Sequence, residues 1–509
     1  MTRLSARSIF LFFPLIFAPQ AGAQQPATRV AEATARTAAA APPVVPVSHN
    51  LLFGMLPVSS HSAEARKLVE QAISQYENVL LDQAVSTAHR AAEKDPHFAL
   101  AFAVWSFAAR RNQPSAEALR RAEALTSRAT PQEQLLVHWM TSVQKDDMLP
   151  AITATNDLLQ RYPNDKHVLY LTSEWLYFQQ DYERSRKIME HVVELDPNFP
   201  PILNMLGYAY MESGDPTPVK AISFLQRYAQ LQPHQPNPED SLGEILRYAG
   251  DDQGSIEHYT AALKIIPNFI TSQIGLGDTS ALMGNYTRAR AEFDKAMTMA
   301  SNSRDRLHAE FQKALVYFWE GQPAAGRQAL EDLLVKARKQ KEPYAQFEIA
   351  FGRAMLAADF QAELEQLRGV ESSLQKPIVG MSEPDRNISI ASVLREEVRI
   401  ATLNHVAGVA EESISKVENL ANKSRDLTVE SCYESARGLL FLSQGDSATA
   451  VDELASDPHS PIILHQLALT QEKLGNAAAA ESTRRRLKYM RAPTVEWYLI
   501  THANAAPAS

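Results

Sequence analysis

Four carboxylates, Glu174, Asp240, Glu244 and Asp278, are the one set of side chains here that could be nominated for chemistry. Two carboxyl groups about 5–10 Å apart in a closed pocket can act as acid and base, or acid and nucleophile, on a glycosidic bond. These four are spread over different segments of the chain, which predicts wide separations. Other catalytic signatures are missing from the sequence. No phosphate loop of the Walker type occurs. Gly275-Leu276-Gly277 begins like a dinucleotide fingerprint, but position 280 is Ser and the stretch reads as helix. His191 and Glu194 share a helix face, yet no second His follows at metal-ligand spacing. No Gly-x-Ser-x-Gly elbow is present. The single cysteine, Cys432, permits no intrachain disulfide and no thiolate zinc site, and reads as a small buried apolar residue. The sequence therefore predicts no catalytic residue, no cofactor and no metal.

The elements that must position these residues are helices. The 509-residue chain is rich in Ala, Leu, Glu, Gln and Arg, a composition that favours helix. Prolines at 96, 131, 163, 197, 233 and 267 punctuate it with gaps of 35, 32, 34, 36 and 34. Three have closely similar settings: Asp95-Pro96-His97-Phe98, Asp196-Pro197-Asn198-Phe199 and Ile266-Pro267-Asn268-Phe269. Proline stops one helix and pushes the residue before it out of the α region. A period near 34 with two helices per period marks a helical-hairpin repeat.

The interior of each period agrees. In the unit from Ile270, Leu276 and Gly277 fall where two helices approach closely, and Gly284 ends the first helix. Ala289, Phe293 and Ala296 then form one face of the second helix. The unit from Pro236 repeats this with Leu242, Gly243, Gly250, Ser255, Tyr259 and Ala262. The unit from Pro200 has Leu206, Gly207, Tyr210, Gly214 and Ala221. This spaced pattern resembles that of the tetratricopeptide repeat (TPR) family. The match is strong over 166–300, moderate over 65–165 and weak after 302, where the closing proline is lost. Gly438, Gly445, Ala450 and Leu454 recover one later unit, and Leu467, Gly475 and Ala480 another. About eleven helix pairs are expected. The resemblance implies an all-α fold, a right-handed α-solenoid superhelix of antiparallel helix pairs.

The organisation expected is as follows. Arg3 and Arg7, the apolar run Ile9–Phe17 and the small residues Ala21-Gly22-Ala23 have the layout of a secretory signal peptide over 1–23, cleaved after Ala23. Residues 24–50 form a disordered Ala/Pro-rich linker. A TPR array spans 51–376, and a loop or hinge at 377–386 follows from Lys376-Pro377 to Glu383-Pro384. A degenerate TPR-like array covers 387–492, and 493–509 is a C-terminal tail. The mature chain is then exported, periplasmic or secreted in a bacterium. No later segment is apolar enough for stable membrane insertion. A net charge of −9 disfavours nucleic acid, which needs a basic face. Arg484-Arg485-Arg486-Leu487-Lys488, the one basic run, suits the dipole at a helix C-terminus as a solvated end cap. The five tryptophans read as core.

In the TPR family the first helix of each pair lines the concave side. The matching positions here are Tyr170, Glu174 and Tyr177, then Asn204, Tyr208 and Met211, then Asp240, Glu244 and Arg247, then Asp278. The resemblance thus implies a peptide-binding groove, aromatic at its start and acidic further along. Tyrosine offers an apolar face and a hydroxyl at low entropic cost. The carboxylates favour a basic or amide-rich protein or peptide partner. Some family members grip a C-terminal carboxylate with Lys and Asn at such places. Here Glu174, Asp240, Glu244 and Asp278 stand there, so that function is not expected. The leading expectation is a non-catalytic exported scaffold. An envelope glycan-handling enzyme or accessory is the alternative, and self-association through the C-terminal repeats a third reading.

Overall fold

The helix Pro236–Ala249 and its successor show how each pair is built. Gly250 closes the first helix with φ 88°, a left-handed value that suits glycine. Asp251 then caps the helix Asp252–Ile265, its side chain accepting a hydrogen bond from the Gly254 N–H at 2.9 Å. That helix stops at Ile266, just before Pro267. The two helices lie close because Gly243 has no Cβ: one placed there would meet the Tyr259 ring at 2.8 Å. Tyr259 also fills the space against the next pair, where a Cβ on Gly275 would meet the ring at 2.3 Å. The ring is 3% exposed, and such burial contributes about 1.5–3 kcal/mol. Gly277 and Phe293 repeat the contact one pair later.

The computed structural model describes residues 50–502 apart from 110–112, 146, 180, 213–215 and 425. The signal peptide expected at 1–23 and the linker expected at 24–50, save Asn50, lie outside the described residues. Those residues hold 25 helices and one two-stranded antiparallel hairpin, Leu51–Leu52 with Leu56–Pro57. Twenty-four of the helices follow one another as twelve pairs, one more than expected, and Val495–His502 is left over. The fold is all-α, an array of successive helix pairs. No helix among the described residues is long and apolar enough to cross a membrane.

The chain divides into two units at 169/170, inside the helix Lys166–Phe178. In the unit that ends at Leu169, the hairpin precedes three helix pairs. Buried Glu133 fastens it, accepting from the Ser59 N–H at 2.7 Å and the Leu100 N–H at 3.2 Å.

In the unit from Tyr170, the repeat changes after 302 by lengthening. The helices Ser303–Trp319 and Pro323–Gln340 have 17 and 18 residues, against 13 and 14 in the pair before them. Pro343 opens the next helix, so the proline lost from the 34-residue pattern has moved downstream. The expected boundary at 377–386 meets a different arrangement. A short turn there leads straight into the helix Glu383–Leu403, capped by Ser382. One hydrophobic core runs across it, joining Phe347, Leu367 and Leu374 to Met381, Ile390 and Leu394. The expected tail at 493–509 also differs over its described part. Val495–His502 is helical, Val495 joins the core of Leu307, Phe311 and Ile349, and Trp497 and Ile500 pack on the core of Val398, Leu439 and Leu464. Apolar residues at both faces of this short helix explain why it docks between two cores.

Candidate functional site

Three of the four nominated carboxylates come together, which corrects the expectation of wide separations. Asp240 and Glu244 are one turn apart on Pro236–Ala249, and Asp278 lies on the next first helix, Ile270–Leu282. Arg247 stands between them. Its Nη1 donates to Asp278 Oδ2 at 2.7 Å, and Nη2 lies 3.7 Å from Glu244 Oε1. Tyr208 Oη donates to Glu244 Oε2 at 2.9 Å and Tyr248 Oη to Glu244 Oε1 at 2.8 Å. Ser272 Oγ donates to Asp240 Oδ1 at 2.6 Å. All four charged residues are buried.

Burial pushes the Asp240 carboxyl up to about 7, with the neighbouring Glu244 charge adding to the effect. Burial also raises Asp278, against the pull of Arg247. For the Arg247 guanidinium, burial opposes the charge, and the surrounding Tyr259, Asp278 and Glu244 more than offset it. The cluster borders a cavity of about 40 Å³, walled also by Gln312, Ala492 and Thr494. That space has room for a few ordered waters.

A larger cavity of about 270 Å³ lies in the same unit. Its walls include eight Phe and Tyr rings, Tyr177, Tyr182, Tyr248, Phe311, Phe351 and Tyr489 among them, with Met211, Met355 and Met490. Tyr177 and Tyr182 meet edge to face at 5.2 Å, and Phe347 stacks on Phe351 at 5.5 Å. Rings supply a large apolar surface with few rotatable bonds, and methionines adapt around an irregular guest. The polar members are Glu212, Glu348, His459, Arg486, Thr494 and Glu496. Burial raises the Glu496 carboxyl, which accepts from Ser460 Oγ at 2.8 Å and Arg395 Nη2 at 3.2 Å.

The C-terminal segment closes this side of the unit. Ala492 and Thr494 border both cavities. Arg491 grips both oxygens of Asp252, the longer contact at 2.9 Å. His459 Nδ1 lies 3.6 Å from Glu212 Oε2, and Arg486 Nη2 donates to the Glu212 carbonyl at 3.5 Å.

The structure therefore sorts the ten expected groove residues. Tyr177 and Met211 line the large cavity, while Asp240, Glu244, Arg247 and Asp278 border the small one. Tyr208 joins them through Glu244. Asn204 takes part at one remove, its Oδ1 accepting from Ser241 Oγ at 2.9 Å. Tyr170 and Glu174 are buried elsewhere, Tyr170 against the Phe199 ring at 6.0 Å. The expectation missed His459, Arg486 and Tyr489. Arg486 belongs to the basic run read as a solvated cap; it turns inward while Arg485 is exposed. Among the described residues no group of three His, Cys, Asp or Glu side chains is placed to hold a metal.

No family model matches the chain, and no curated protein matches it. Solved structures do. Yeast Tom70 is 14% identical, with a TM-score of 0.39, covering 82% of this chain and 95% of that one. A tetratricopeptide repeat protein from Parabacteroides merdae is 11% identical, with a TM-score of 0.33, covering 65% and 100%. PilW, a type IV pilus biogenesis factor, is 14% identical, with a TM-score of 0.33, covering 45% and 98%.

Proposed function

We propose that this chain is an exported, non-catalytic repeat protein that binds a protein or peptide segment in the unit from Tyr170. The large aromatic cavity carries this reading. It offers ring surface and convergent polar groups, the usual make-up of a ligand site. It also adds to the sequence expectation. Tyr177 and Met211 remain candidate contacts, and the seat is formed with them by residues from the C-terminal helices.

The ligand's chemistry shifts with it. Asp240, Glu244 and Asp278 are already matched by Arg247, Ser272, Tyr208 and Tyr248, so they do not present free negative charge to a basic peptide. An apolar, amide-bearing segment fits the walls better than a basic one. The glycan-handling reading loses support for the same reason. Its carboxylates are held by Arg247, Ser272, Tyr208 and Tyr248 rather than turned towards a substrate.

The test uses the mature chain from Gln24 on an array of immobilised short peptides. Native protein is compared with a Tyr182→Ala, Tyr489→Ala variant that keeps the helical circular dichroism and melting temperature of the native chain. Peptides rich in large apolar residues should be retained by the native protein and released by the variant. Equal retention by both would remove the cavity from the site. Export is tested separately: the chain in the envelope fraction should begin at Gln24, and a full-length N-terminus inside the cell would refute it.

A further inference from the structure

Two polar groups in the large cavity lack the partners that the rest of its wall has. His459 is 7% exposed, and its Nε2 is buried with no hydrogen bond. The tautomer follows from its other nitrogen. Nδ1 faces the Glu212 carboxylate, which can only accept, so Nδ1 carries the proton. Burial holds the imidazole below its usual range and hence neutral. Nε2 therefore presents a lone pair and needs a donor. Arg486 has the opposite need. Among the described residues its guanidinium makes one hydrogen bond, the long one to the Glu212 carbonyl, and no ion pair within 4 Å. A guanidinium carries five N–H donors, so most of this one's capacity is open. Both groups adjoin Glu212, His459 at its carboxylate and Arg486 at its carbonyl, and both line the same cavity, with the Arg486 charge close enough to act on the imidazole.

One acceptor beside one cluster of donors matches a peptide amide, which has an N–H and a C=O in fixed relation. A free carboxylate fits less well, because it offers no donor to Nε2 and would stand near the Glu212 charge. Within the proposed peptide-binding reading, on which this rests, we infer that the cavity takes one large apolar side chain of a peptide, whose backbone N–H donates to His459 Nε2 and whose adjoining C=O accepts from Arg486. The rings of Tyr182, Phe351 and Tyr489 hold the side chain. Arg486 and His459 fix its direction and distinguish a peptide from a bare apolar solute.

The probe is acetyl-Ala-Ala-Phe-Ala-Ala-amide. Its counterpart carries phenyllactic acid in place of phenylalanine, an ester that lacks the one N–H. Titration calorimetry on the mature chain should give the amide roughly three- to tenfold tighter binding than the ester. His459→Leu should erase that gap. Arg486→Met should weaken both peptides by about tenfold or more, and Arg486→Lys should recover part of the loss. Circular dichroism and melting temperature certify that each variant is folded. Amide and ester bound equally, with Arg486→Met indifferent, would overturn the inference and leave peptide binding standing. A gap that survives in His459→Leu would overturn it too. Tighter binding of acetyl-phenylalanine with a free carboxylate would replace the amide by an anion. Failure of the Phe peptides to bind at all would sink this inference and the peptide reading together.

Discussion

Arg247 Nη1 and Asp278 Oδ2, 31 residues apart and one repeat apart, meet at 2.7 Å with both side chains under one-tenth exposed. The contact joins one helix pair to the next. Removing one partner of a buried ion pair strands the other charge, which costs about 3–5 kcal/mol. Asp278→Ala should therefore lower the free energy of urea unfolding by that order, with Glu244 and Asp240 left as the nearby counter-charges. The double change Arg247→Met, Asp278→Leu strands neither member of the pair and leaves Glu244 held by the Tyr208 and Tyr248 hydroxyls, so it should recover a large part of that loss. A single change that costs less than about 1 kcal/mol would show that the pair is solvated in solution.

Asp240 makes stability depend on pH in the direction opposite to a salt-bridged aspartate. Its folded pKa is raised from 3.8 to about 7 by burial, so the folded state holds a proton that the unfolded chain has released. Glu244 and Arg247 are the charges that face it. Stability should be greatest below pH 4 for this group, fall as pH rises towards 7, and level off above. The whole span corresponds to roughly 4 kcal/mol at most. Asp240→Asn removes the titration, so the variant should lose less stability than the native chain between pH 5 and pH 8. Parallel melting curves at the two pH values decide it: equal losses would mean that Asp240 is ionised in the folded chain.

Tyr259 wedged between Gly243 and Gly275 is what sets the approach of neighbouring pairs. Gly275→Ala should gain about 1 kcal/mol in helix propensity yet drive a methyl into a ring with nowhere to go, 2.3 Å away. Overpacking of this kind costs about 1–3 kcal/mol, so the net should be a loss. Tyr259→Leu should restore part of it in the double variant. A stabilised Gly275→Ala single variant would show the ring free to move.

These glycines and tyrosines are also why the pairs between 200 and 300 could be read directly from the chain. Each contact there is one helix turn or one repeat away, and period, proline and small residues record it. The cavity leaves no such trace. Arg486 meets Glu212 across 274 residues, and Arg491 meets Asp252 across 239. Nothing in a local pattern tells an inward arginine from the outward one beside it. The lengthened helices after 302 broke the 34-residue period just where the returning segment begins to matter. So the first helices, and with them the positions of Tyr177, Met211 and Arg247, were legible, while the convergence of Asp240, Glu244 and Asp278 round Arg247 and the wall supplied by the last helices were not.

Cys432 should be inert. It is 1% exposed, and burial pushes its thiol up to about 12. At pH 8 a colourimetric disulfide reagent should leave it untouched in the folded chain and consume one thiol per chain in urea. Rapid labelling of the native protein would mean that the helix Leu427–Ser443 opens far more often than its packing implies.

The clasp between Arg491 and Asp252 holds the segment that walls the cavity, and its loss should be felt locally. Both side chains are about one-fifth exposed, so the pair contributes no more than about 1 kcal/mol. Asp252→Ala should leave the melting temperature nearly unchanged, since the core contacts of Val495, Trp497 and Ile500 persist. Amide hydrogen exchange over residues 489–502 should nevertheless rise up to about fivefold, because opening that segment breaks the clasp and little else. The helix Leu427–Ser443 serves as an internal reference that should not change. Because Tyr489 and Met490 move with the segment, peptide affinity should fall by a similar factor. Faster exchange with unchanged affinity would detach the C-terminal wall from the binding site, while unchanged exchange would mean that the cores alone hold the segment down.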